Sequence, residues 1–332
     1  MELHDPVRAL ELLGKHLKLF TDVSKVREDA MRRVLVLAFL ASLILLQSPV
    51  AQEETNRTPV DNATFAQIAE HFHYDRSMPL EARVIGVWPR RLPYVIEKVS
   101  YRSIHGERVP AYFAHPKDTT GTRYPAVLLL HGANDFWGKN EDWAMEWLDI
   151  LARSDRCVLS ADFFEFGERK RGDEIAGYTA LSWSEASPYT RRNTVIQAVT
   201  DQRRGIDYLF SRPEVDTTKV GLLGGSMGGY YGTLVGGLDE RFAAVVLTVA
   251  LSWPDEATDD PLRRYMHILN FAPRISAPVL MVNATGDGRE SGEELFSVMP
   301  EPRKQIWHES DHYLPPRDYN ADIMAWLGVH LR

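Results

Sequence analysis

The stretch KVGLLGGSMGGYYGTL, residues Lys219 to Leu234, decides how the chain is read. Val220 to Leu223 is a short apolar run followed at once by glycine, the pattern of a buried strand. After it, MGGYYGTLVGGL contains no proline and has the apolar spacing of a helix packed on a sheet. Between the two, Gly224, Gly225, Gly228 and Gly229 flank a lone serine, Ser226. A strand, a sharp turn and a helix put Ser226 at the apex, and Gly224-Gly225-Ser226-Met227-Gly228 fits G-x-S-x-G, the nucleophile elbow. Side chains at Gly224 and Gly228 would collide with the neighbouring strand and helix. The helix N-terminus behind the serine favours developing negative charge.

Working outward, the same strand and helix alternation continues on both sides. YPAVLLLHG, RCVLSAD, FAAVVLTVA, PVLMVNAT and RKQIWHE read as apolar strands. NEDWAMEWLDILARS, NTVIQAVTDQRRGIDYLFSRPEV, ESGEELFSVM and NADIMAWLGVHL read as helices, the first with Asn140 as N-cap. Upstream, YVIEKVSYRS and ERVPAYFAHP form a predicted antiparallel hairpin across IHGE. Fully apolar strands alternating with amphipathic helices mean an α/β protein with a mostly parallel sheet covered on both faces. Residues 92–332 read as one catalytic domain, and 52–91 as a polar linker with one short helix around NATFAQIAEHFHYD.

The N-terminus has a different character. Met31, Arg32 and Arg33 precede an apolar run from Val34 to Leu46, shorter than the roughly 20 residues needed to span a bilayer. A basic start, a short apolar core and then small and polar residues are the layout of a secretory signal peptide over 31–51. Residues 1–30 then read as an extra segment, consistent with a true start at Met31. The expectation is export to the periplasm or medium; the competing arrangement is a membrane anchor with Val34–Leu46 retained. Sequons at Asn56, Asn62 and Asn283 add little, since Asn283 falls in a predicted buried strand.

Composition narrows the classes. The 332 residues are 44% hydrophobic and 25% charged, enough for a sizeable core, and the net charge of −8 argues against nucleic acid as a partner. GERKRG, Gly167 to Gly172, reads as a solvated basic loop. The single cysteine, Cys157, excludes an internal disulfide and reads as a small buried hydrophobe. His71 and His73 lack a carboxylate at helical spacing, so no metal is expected. There is no P-loop ending and no early GxGxxG, and no cofactor is expected.

A serine nucleophile needs a base, and the base an orienting acid. Asp287 ends PVLMVNATGD just past a predicted strand, and His312 lies in HESDHYLPP after the next one. His308 competes as base from within its strand, and Asp255 is the fallback acid. The oxyanion donors read as the backbone N–H groups of Met227 and of Ala133 in HGAND. His131 in the same loop reads as a residue that holds it through hydrogen bonds. Two long segments, 163–187 and 252–275, are placed to shape a pocket at the carboxyl ends of the strands. Their aromatics and neighbours, Phe136, Trp137, Trp183, Tyr189 and Trp253, are candidates for the alcohol or sugar side.

HGAND, GGSMGG, PVLMVNATGD and SDHY in this order resemble the α/β-hydrolase superfamily. YDRSMPLEARV, GERVPAYFAHPKD, SADFFEFGER and SRPEVDTTKVGLLGGSMGG resemble its dienelactone hydrolase and acetyl xylan esterase branch, from about Tyr74 onward. The resemblance implies a mostly parallel central sheet of about eight strands flanked by helices, a Ser226–His312–Asp287 triad and cofactor-free ester hydrolysis. Serine replaces the cysteine of dienelactone hydrolases, which disfavours that substrate, and the small Ala133 leaves the acyl preference open. The expected substrate is a small-molecule or carbohydrate ester. Two alternatives stay open: a serine peptidase of the prolyl-oligopeptidase type, which normally carries a large N-terminal domain, and a non-catalytic binding protein of the same fold. Oligomeric state is unspecified.

Overall fold

The computed structural model describes residues 58–88, 92–133, 137–170, 188–252 and 265–332. The signal-peptide reading of 31–51 and the extra segment 1–30 lie outside them. The framework is a single nine-stranded sheet: β1 (Arg83–Trp88), β2 (Tyr94–Arg102), β3 (Arg108–Pro116), β4 (Tyr124–Leu130), β5 (Cys157–Ala161), β6 (Val215–Gly225), β7 (Ala244–Thr248), β8 (Val279–Ala284) and β9 (Arg303–His308). Their spatial order is β1-β2-β3-β5-β4-β6-β7-β8-β9. The first three pair antiparallel, β3 meets β5 antiparallel, and from β5 to β9 all neighbours are parallel.

Strand periodicity explains why those apolar runs are unbroken. Successive side chains point to opposite faces, and both faces are covered. On β4, Ala126, Leu128 and Leu130 enter one core while Val127 and Leu129 enter the other. The first core is closed by α3 (Pro188–Ser211) and α4 (Met227–Leu238). The second is closed by α2 (Asp142–Arg153), through Trp147 and Leu151, and by the C-terminal helix α7 (Pro316–His330), through Tyr319, Ile323 and Leu327. Short helices α5 (Ile268–Phe271) and α6 (Arg289–Ser297) complete the cover. Among the described residues no helix is long and apolar enough to cross a membrane.

Four sequence readings are revised. The sheet has nine strands rather than about eight, because 52–91 contains β1 as well as α1 (Asn62–Glu70). The described part of that linker is docked on the domain: Phe72 is fully buried edge-on to Phe271, and Arg203 donates to its carbonyl at 2.8 Å. Asn140 does not cap α2. It ends a 3-10 turn and accepts from the Tyr112 hydroxyl at 2.8 Å, while Glu141 takes the N-cap position. GERKRG is not simply solvated, since Arg169 is buried against Asp201 at 2.5 Å and its charge is matched there. Cys157 is buried as read, and burial pushes its thiol up to about 12.

The docking of the α1 segment predicts that Phe72→Ala lowers unfolding free energy by about 3–5 kcal/mol in urea titrations. Ile85→Ala, on the exposed edge strand β1, should stay within about 0.5 kcal/mol.

Candidate active site

Ser226 sits between β6 and α4 with φ 55° and ψ −117°, a region that L-residues enter only when their surroundings hold them there. Its N–H donates to the Thr248 carbonyl of the next strand at 2.9 Å, and its own carbonyl accepts from the N–H groups of Gly229 and Tyr230. Two glycines make the turn sterically possible. A Cβ on Gly224 would lie 2.1 Å from the Gly228 carbonyl oxygen, and one on Gly228 would lie 2.1 Å from that of Leu130. Both obstacles are backbone and cannot move aside.

The turn aims the hydroxyl at His312, whose Nε2 is 2.9 Å from Ser226 Oγ. His312 Nδ1 lies 2.8 Å from Asp287 Oδ2. An ionised carboxylate only accepts hydrogen bonds, so Nδ1 carries the proton and Nε2 is left as acceptor for the serine hydroxyl. The hydrogen bond that His312 donates to Asp287 is the largest influence on the imidazole and raises its pKa above the ordinary value, against partial burial. Ser226, Asp287 and His312 follow β6, β8 and β9, all at the carboxyl ends of parallel strands. The acid and base loops are clipped to each other, since Gly286 N–H donates to the Ser310 carbonyl at 2.9 Å.

A family model for the "Alpha/beta hydrolase family" matches residues 127–329, more than half of the chain. The chain belongs to the alpha/beta hydrolase family. The curated protein "Putative hydrolase YtaP" of Bacillus subtilis (strain 168) is 27% identical over 186 residues, which cover 49% of this chain and 60% of that protein; the match thus spans less than two thirds of its length. Solved structures of an acetyl xylan esterase from Paenibacillus sp. R4 (TM-score 0.65, 18% identity, 86% of this chain and all of the other) and of acetyl xylan esterase 1 from Thermoanaerobacterium sp. JW/SL YS485 (TM-score 0.64, 18% identity, 81% and 93%) share its fold.

The remaining candidates in this member of the alpha/beta hydrolase family fall into place unevenly. Met227 is the first residue of α4, where an amide has no intrahelical acceptor. Ala133 is exposed just beyond β4. His131 is buried and neutral: its Nε2 accepts from Phe163 N–H at 3.1 Å, its Nδ1 donates to the Gly132 carbonyl at 2.7 Å, and burial lowers its pKa to about 4. His308 points to Asp322 at 3.2 Å. Trp137 and Tyr189 are exposed, with the Arg192 guanidinium over the Tyr189 ring. Phe136, Trp183, Trp253 and the fallback acid Asp255 lie outside the described residues.

Two features escaped the sequence reading. Lys139, fully buried, donates to Asp162 and Glu168 at 2.6 Å each and locks the loops after β4 and β5 together. Glu141 accepts from the Gly132 N–H beside Ala133. Neither carries a local sequence signal, because each contact spans separate elements.

The two glycine contacts predict that Gly228→Ala costs about 3 kcal/mol or more, since the added methyl meets a main-chain oxygen. Urea unfolding of the variant checks this against the wild type.

Proposed function

We propose that this hydrolase is a serine esterase that cleaves short-acyl carboxylic esters through an acyl-enzyme. The observation that carries the reading is the continuous hydrogen-bonded line from Asp287 through His312 to Ser226 Oγ. In this mechanism Ser226 Oγ attacks the ester carbonyl as Nε2 of His312 takes its proton. Asp287 holds the proton on Nδ1 and stabilises the imidazolium. The N–H groups of Met227 and Ala133 receive the negative oxygen of the tetrahedral intermediate. His312 then protonates the departing alcohol, and a water, deprotonated by the same nitrogen, releases the acid. The two acetyl xylan esterases among its fold neighbours support an acetyl group on a carbohydrate as the substrate class. Export, proposed from the leader-like run after Met31, would bring the enzyme to such polymers.

A panel of p-nitrophenyl esters from acetate to octanoate tests the reading. Acetate and butyrate should turn over fastest, and Ser226→Ala should lower kcat by about 10⁴-fold or more. Ester turnover that survives this substitution overturns the proposal.

The pH profile is a second check. His312 works as a base only when neutral, and its pKa is raised. The acid limb of kcat/KM should therefore have its midpoint above about 6.5, the free imidazole value. In Asp287→Asn the raising hydrogen bond to a charge is gone while burial remains, so the midpoint should fall and kcat should drop by about 10²–10⁴-fold.

A further inference from the structure

We propose that Glu141 is a positioning residue for the oxyanion hole: with His131 it clamps Gly132 from both sides, so that the Ala133 N–H is held in one orientation. The proposal rests on the esterase reading above.

Glu141 occupies the N-cap of α2, where a side-chain oxygen ordinarily accepts from the first free amides of the helix. Its carboxylate makes no such bond. It reaches back instead to the loop after β4 and accepts from the Gly132 N–H. Both carboxylate oxygens lie over the Gly132 Cα, where a Cβ would stand 3.2 and 3.3 Å from them. A side chain at 132 would press on the carboxylate and make it shift by a few tenths of an ångström. Among the described residues no ion pair compensates Glu141, and burial pushes its carboxyl up to about 7. A half-buried carboxylate without a cation is costly to keep at a helix cap that Ser or Asn would fill better.

The other side of Gly132 is held as firmly. Its carbonyl accepts from His131 Nδ1, and that ring is fixed by Phe163 N–H. The peptide unit is planar and trans, so its carbonyl and the Ala133 N–H point in opposite directions. Fixing the carbonyl on His131 therefore fixes the donor. With Gly132 N–H on Glu141, neither adjoining peptide plane can turn without breaking a hydrogen bond, and the donor is in place before charge develops on the substrate.

The test compares Glu141→Ala and Glu141→Gln on p-nitrophenyl acetate, with thermal unfolding followed in parallel. Glu141→Ala should lower kcat about 10–100-fold with KM and melting temperature little changed, because a displaced donor weakens only the transition state. Glu141→Gln, whose amide oxygen still accepts from Gly132, should keep kcat within about threefold of wild type. Wild-type kcat in Glu141→Ala, or an equal loss in both variants, overturns the proposal. If the alanine variant does not fold, Glu141→Leu, which fills the space with no acceptor, decides: a kcat equal to that of Glu141→Gln is equally fatal. Ser226→Ala separates the two claims. Turnover that persists without Ser226 defeats the esterase reading, whereas turnover that needs Ser226 but ignores Glu141 defeats the clamp alone.

Discussion

The backbone at Ser226 is held in a conformation that an isolated chain would leave, and most of the site depends on keeping it there. A φ of 55° with ψ of −117° is costly for a residue with a side chain, on the order of 1–3 kcal/mol. The surrounding structure over-determines it: β7 receives the serine amide through Thr248, the first turn of α4 takes its carbonyl, and two glycines let Leu130, the last residue of β4, and Gly228 approach at backbone distance. Three parallel strands and a helix are therefore engaged to expose one hydroxyl. The apolar interdigitation on both sheet faces supplies the rigidity, with Leu222 packed on one side and Leu223 on the other.

Charge plays a second, different part. At the strand ends beside the site, buried Lys139 pairs with Asp162 and Glu168 at 2.6 Å each, and buried Arg169 pairs with Asp201 at 2.5 Å. Such pairs add little net stability compared with apolar packing. Their effect is geometric, because breaking one would strand a charge in a dry environment. The loops after β4 and β5 are consequently fixed relative to each other and to α3, the helix that carries Asp201.

Legibility in the sequence tracked locality. The elbow could be read because strand, turn, glycines and helix are contiguous, and Asp287 and His312 because each follows its own strand closely. The order Ser, acid, His supplied the rest, and the side chains of Ser226, His312 and Asp287 do meet in space. β1 was missed because its apolar residues Val84, Ile85 and Val87 are exposed, so its alternation marks no buried face, and its pairing with β2 shifts register between Val84 and Gly86. Asn140 looked the better cap for α2 because propensity does not show that its side chain is taken by Tyr112. Arg169 looked solvated because its partners, Asp201 and Glu107, stand far away in sequence. Trp137 and Tyr189 are marked by aromatic type and by their place near the long loops, and neither says in which direction a ring points.

Ser226 and His312 hang from unequal supports. Among the described residues, β6 has neighbours on both sides, whereas β9 lies at the margin of the sheet and pairs with β8 alone. Its side chains, apart from exposed Lys304, are only half covered. Marginal strands of this kind open at lower free energy than interior ones. The His312 imidazole is carried by the loop that leaves β9, so its contact with the Ser226 hydroxyl can open while the interior strands stay paired. On the proposed reading, warming parts the imidazole from the hydroxyl before the interior strands separate, so turnover should fade below the temperature at which the molecule melts.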